Sequence, residues 1–173
     1  MSAEIKPAQP ALKWHSEPTH PECHPGSNLE SWLTEKGVLT VRMKESSPEP
    51  FRLQLLEPIH GQGQMLNSQI IRRVILWSGN TPCIYAESYL PESALLALPD
   101  LRNLGGAPLG ELLNSHPEIS RGQLEFALLK SPALPAPIES VADRPLWSRR
   151  AKYSVGDSGL VVAELFLPGI SGL

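Results

Sequence analysis

The sequence predicts an α+β fold built on a single antiparallel sheet of about six strands. Three observations carry this reading. Short runs at 51–56, 70–77, 83–90, 123–129, 147–155 and around 160–167 either alternate apolar with polar residues or are rich in β-branched and aromatic ones. Glycine-containing segments of hairpin length join neighbouring runs, and helical patterns are confined to the start and the middle of the chain. Strands in sequence with segregated helices form antiparallel sheets, whereas a parallel sheet needs a crossover helix between strands.

Taken in order, residues 1–26 read as a poorly ordered or loosely docked, Pro-rich leader, because proline interrupts every candidate period there. Residues 27–173 read as a single domain. Ser27-Asn28-Leu29-Glu30 has the spacing of a capping box, followed by Trp32 and Leu33 before Gly37, so a short helix docked by Trp32 is expected. Phe51, Leu53 and Leu55 alternate with Arg52 and Gln54 as in a half-exposed strand. Ile70–Trp77 and Cys83–Leu90, separated by Ser-Gly-Asn-Thr-Pro, form the clearest hairpin. From Pro91 to His116 the pattern turns helical, with Pro108 suited to a first helical turn, and this region could form a lid. Residues 123–129 alternate again. After a proline-rich excursion over 131–145, a second hairpin of 147–155, the turn Gly156-Asp-Ser-Gly159 and a last strand end the fold.

Composition bounds the function. A chain of 173 residues with 41% hydrophobic and 19% charged content can bury one core. A formal charge of −3 leaves no basic footprint for nucleic acid, and no apolar stretch approaches the roughly 20 residues of a membrane span. The N-terminus lacks the pattern of a secretory signal, so a cytoplasmic protein is expected. In that compartment Cys23 and Cys83 are expected as free thiols. His15, His20, Cys23 and His24 lie close together but match no zinc spacing and sit among prolines, so no metal site is assigned. Gly61-Gln-Gly63 and Gly105-Gly106 lack the completing residues of phosphate loops and read as turns, and His60 reads as a loop residue.

Two charges are out of place. Glu164 has seven hydrophobic neighbours among residues 160–167, and strand parity puts it on one face with Leu160, Val162 and Phe166. An ionised carboxylate there must be paired, protonated or facing a cavity where a ligand supplies the partner. Arg72 shares a face with Ile70, Val74 and Leu76, while Arg73 points the other way. A guanidinium and a carboxylate on one inner face suit a small anionic ligand; a structural ion pair between them is the plain alternative.

Four segments in order, Arg72-Arg-Val-Ile-Leu-Trp-Ser-Gly-Asn-Thr-Pro82, Ala107-Pro-Leu-Gly-Glu-Leu-Leu113, Leu146-Trp-Ser-Arg-Arg150 and Ala163-Glu-Leu-Phe-Leu-Pro168, resemble the chorismate pyruvate-lyase family from about Trp32 to Pro168. The resemblance implies six antiparallel strands with helical flaps closing a buried site. It also implies conversion of chorismate to 4-hydroxybenzoate and pyruvate, the first committed step toward ubiquinone, without cofactor or metal; separately, a monomer is expected. Arg72 would hold the aromatic carboxylate, assisted by the backbone amides of Leu109 and Leu39, and Glu164 would meet the 4-hydroxyl. The residue matching Leu39 is a methionine in a relative, a change a backbone donor tolerates. Val38-Leu-Thr-Val41 is rich in β-branched residues, and 131–145 looks like a local insertion. Two other functions share these features: a non-catalytic sensor of aromatic carboxylates, and a chorismate-using enzyme with a different hydroxybenzoate product.

Overall fold

The computed structural model describes residues 12–56 and 69–173; the turn at Gly61-Gln-Gly63 and His60 lie outside them. Seven strands, all antiparallel, form one sheet: β1 (Phe51–Leu55), β2 (Gln69–Ser78), β3 (Thr81–Pro91), β4 (Ser120–Arg121), β5 (Glu125–Leu129), β6 (Leu146–Val155) and β7 (Ser158–Phe166). The order is β1-β2-β3-β7-β6-β4, with β5 also on the outer edge of β6. β4 and β5 share that edge end to end, one against Tyr153 and Ser154, the other against residues 146–150, so the sheet has six strand positions.

Both hairpins form, with tighter turns than the sequence suggests. Ser78 pairs with Thr81 and Val155 with Ser158, leaving two-residue loops, Gly79-Asn80 and Gly156-Asp157. Gly79 and Gly156 take φ of 55° and 58°, which a side chain would resist, and such turns match the twist of antiparallel strands.

Four short helices cover one face: α1 (Ser27–Leu33), α2 (Leu39–Ser46), α3 (Glu92–Ala97) and α4 (Leu109–Ser115). The capping box does not form. Gly26 occupies the N-cap with φ 79°, which moves Ser27 into the helix, and no side chain caps it. Pro108 likewise sits at the N-cap of α4 and not inside it. The β-branched stretch 38–41 opens helix α2, because Leu39, Thr40 and Met43 gain burial there that outweighs propensity.

Trp32, Leu33, Leu39 and Met43 pack on Val74, Leu76, Ile84, Ala86, Trp147 and Phe166. A second cluster joins Leu95, Leu109 and Leu113 to Leu90, Val155 and Leu160. These lie towards opposite ends of the same sheet face, and the buried polar residues of that face fall between them. The other face carries a third cluster, in which Ile138 from the short helix Ala136–Val141 covers Ile75, Tyr85 and Leu165. The proline-rich excursion is therefore packed on the sheet. In the leader, residues 12–26 are docked as well: His15 exchanges both backbone hydrogen bonds with Phe126 (2.8 and 2.7 Å), and Arg150 stacks on Trp14.

Candidate active site

The ladder registers fix which side chains meet between the two helix-covered clusters. Arg72, Ser88, Val162 and Ala151 form one row across β2, β3, β7 and β6; Val74, Ala86, Glu164 and Arg149 form the next. Arg72 and Glu164 thus face the same side, two strand spacings across and one two-residue step along, roughly 12 Å between backbones. They do not pair with each other.

Glu164 instead pairs with Arg149, whose Nε donates to its carboxylate at 2.6 Å. Arg149 is 2% exposed, and its Nη1 donates to the carbonyls of Leu33 (3.1 Å) and Glu35 (2.9 Å), with Trp32 at 3.4 Å. Trp32 and Leu33 are the last residues of α1, where a cation is favoured by the helix dipole and satisfies acceptors that a helix end leaves open, and Glu35 follows just beyond it. One guanidinium so joins the end of the first flap to the carboxylate.

Arg72 is equally buried, at 2% exposure, but has no acidic partner among the described residues. Its Nη2 donates to the carbonyls of Gly105 (3.1 Å) and Ala107 (2.8 Å), in the loop leading to α4, and its Nε makes no hydrogen bond. Burial is the sole influence on its acidity, pushing the guanidinium down to about 10, so it stays charged at neutral pH. A buried cation without a counter-charge, with a donor left over, calls for an anion.

Leu39 and Leu109 occupy the first positions of α2 and α4, where backbone N–H groups have no intrahelical acceptor. The two helix starts abut: a Cβ on Gly110 would lie 3.2 Å from Val38 Cγ1. Thr40 and Lys44 of α2 both donate to Glu111 of α4 (2.7 and 2.6 Å), tying the flaps together.

Beside this junction lies a cavity of about 300 Å³. Lys36, Leu39, Gly110, Arg121, Arg149, Tyr153 and Glu164 are among its lining. Leu39 and Glu164 therefore meet at one cavity, whereas Arg72 and Leu109 lie outside that lining, Arg72 under the loop that leads to Leu109. Burial first, and then the charge of Glu164, push the Tyr153 phenol up, so it remains protonated at neutral pH.

The profile of the chorismate lyase family matches residues 14–171. The chain belongs to the chorismate lyase family. It is 32% identical to a probable chorismate pyruvate-lyase of Shewanella loihica, over 91% of this chain and 88% of that one. A namesake from Dechloromonas aromatica is also 32% identical, over 92% and 96%, and one from Pseudomonas aeruginosa is 34% identical over 80% and 83%. Among solved structures, the ligand-binding domain of a transcriptional regulator assigned to the GntR family, from Bordetella bronchiseptica, aligns with a TM-score of 0.41 and 18% identity over 69% of this chain and 79% of that chain.

In this chorismate lyase family member, sequence reasoning missed Arg149, Arg121, Tyr153 and Lys36. The signal for two of them was present. Parity along 147–155 places Trp147, Arg149, Ala151 and Tyr153 on one face, the argument that singled out Arg72 and Glu164. Lys36 sits on a connection, and Arg121 lies in the two-residue strand β4, which is too short for a period to show.

Proposed function

We propose that the protein is a chorismate pyruvate-lyase, with Arg72 and Glu164 marking the two ends of the bound ring. The observation that carries this reading is the buried Arg72 guanidinium with an unused Nε and no acidic partner among the described residues, facing the same side of the sheet as Glu164.

In chorismate the ring carboxylate and the hydroxyl lie para to each other. Arg72 takes the carboxylate through its free donor, with the backbone amides of Leu109 and Leu39 assisting, and Glu164 accepts from the hydroxyl. Breaking the bond between the ring carbon and the ether oxygen, with loss of the hydrogen on the neighbouring hydroxyl-bearing carbon, aromatises the ring to 4-hydroxybenzoate. The electron pair of the broken bond leaves with the arm as an enolate, which takes that proton on its methylene carbon and becomes pyruvate, so the atoms of the substrate are fully accounted for. Because aromatisation drives the step, the protein's contribution is mainly positioning. The proton passes either through Glu164 or directly to the methylene of the departing arm. Neither route calls for a metal or cofactor. The enzyme acts as a cytoplasmic monomer, and its product enters ubiquinone synthesis, the place the family resemblance gives it.

Purified protein incubated with chorismate alone is expected to release pyruvate and 4-hydroxybenzoate in equal amounts, read by a coupled pyruvate assay and chromatography. Pyruvate no faster than the spontaneous rate would overturn the lyase reading, and the 3-hydroxy isomer would reassign the product. Light scattering reads the monomer.

A further inference from the structure

The cavity beside Glu164 holds more positive charge than the described residues neutralise. Its lining includes three cations, Lys36, Arg121 and Arg149, against the one carboxylate of Glu164, which Arg149 already engages. Arg121 donates through Nη2 to the carbonyl of Lys36 and through Nη1 to that of Gly37 at 3.4 Å, and neither Arg121 nor Lys36 meets an acidic side chain among the described residues. Lys36 is exposed and Arg121 half-buried, so the uncompensated charge lies on the solvent side of the cavity.

We infer that Lys36 and Arg121 form the subsite for the second carboxylate of the substrate, the one on its three-carbon enolpyruvyl arm. The inference rests on the chorismate reading and follows from connectivity. With the ring carboxylate at Arg72 and the para hydroxyl at Glu164, the ether-bearing carbon is the hydroxyl carbon's neighbour, so the arm leaves the ring next to Glu164. That is where the cavity lies. Its terminal carboxylate then needs cationic donors that the ring-binding groups cannot reach, and Lys36 and Arg121 are the two cations of this lining without a counter-ion among the described residues. The protonated Tyr153 phenol on the same lining adds a neutral donor beside them. The same charges distinguish substrate from aromatic product: chorismate carries two carboxylates and 4-hydroxybenzoate one, so only the former uses this subsite.

Arg121 also holds the 36–37 backbone, and the test separates that role from direct contact. Arg121→Gln and Lys36→Gln would be compared with wild type for the KM of chorismate and, by fluorescence titration, the Kd of 4-hydroxybenzoate. Loss of a half-exposed charge-assisted hydrogen bond predicts a KM about 10-fold higher for Arg121→Gln and about 3-fold higher for Lys36→Gln. The Kd of 4-hydroxybenzoate should stay within about 2-fold of wild type in both, since this product never meets the subsite. Unchanged KM in both variants overturns the subsite. Equal weakening of substrate and product also overturns it and leaves Arg121 as a latch on the flap. Wild-type protein that makes no pyruvate would remove the underlying lyase reading, an outcome distinct from either.

Discussion

Arg72 and Arg149 are the same residue type at the same 2% exposure on the same face of one sheet, yet they sit in opposite electrostatic situations. Arg149 has a carboxylate at 2.6 Å and the carbonyl end of α1. Arg72 has two loop carbonyls, an idle Nε and no acid among the described residues. A buried charge that the chain itself satisfies is architecture. One that the chain leaves partly unsatisfied is a cost to the free protein that a ligand can offset, so the difference supports the proposed reading of Arg72 as the group that binds and Arg149 as the one that positions.

Substitutions can break this contrast. The largest effect is expected for Arg149→Met, which strands the Glu164 charge and the α1 carbonyls: about 3–5 kcal/mol of stability, or a melting temperature lower by roughly 10 °C in a calorimetric scan. Arg72→Met should behave in the reverse sense. Removing a buried cation that has no acidic partner among the described residues leaves the melting temperature within a few degrees of wild type or above it, while the affinity for 4-hydroxybenzoate falls about 100-fold, roughly 2.7 kcal/mol. If both variants lose stability equally, the distinction fails.

Glu164→Gln tests what Arg149 holds in place. An amide oxygen still accepts from a hydroxyl, so kcat/KM should fall only about 10-fold if Glu164 orients the substrate; a loss beyond about 100-fold would make it the base.

The smallest effect belongs to the opposite face, where Arg73 pairs with Glu87 at 3.1 Å and both are partly solvated. Burial alone would raise the Glu87 carboxyl, but hydrogen bonds from Tyr89, Tyr85 and Arg73 outweigh it and hold it below the usual range. Its stabilisation is therefore present above the unfolded value near 4.5 and is lost as pH falls through the lower folded one. Glu87→Gln should cost about 1 kcal/mol at pH 7, a difference that vanishes in acid denaturation, with turnover unchanged.

Much of this was legible in the sequence where a period of two applies. Alternation in β1 and β2 put Phe51, Leu53 and Arg72 on the inner face and Arg52 and Arg73 on the other, as the registers have it. What the pattern could not supply was the partner. Glu164 meets Arg149 because β6 pairs with β7 at that register, a long-range fact that no local run encodes. The amides of Leu39 and Leu109 were beyond pattern reading altogether, since a backbone donor leaves no mark in residue type. Only the family resemblance pointed to them. The capping box failed for a local reason: Gly26 accepted the N-cap conformation first.

The two hairpins have a consequence for how the protein comes into being. β2–β3 and β6–β7 each close through a two-residue turn and can form on their own, whereas Arg72 and Glu164 come together only when β3 meets β7 across the whole stretch from Pro91 to Ser158. Closing that loop costs more chain entropy than closing either hairpin. On the proposed reading of these two residues the site is assembled late in folding, and pulsed hydrogen exchange during refolding should find both hairpins protected before the β3–β7 ladder.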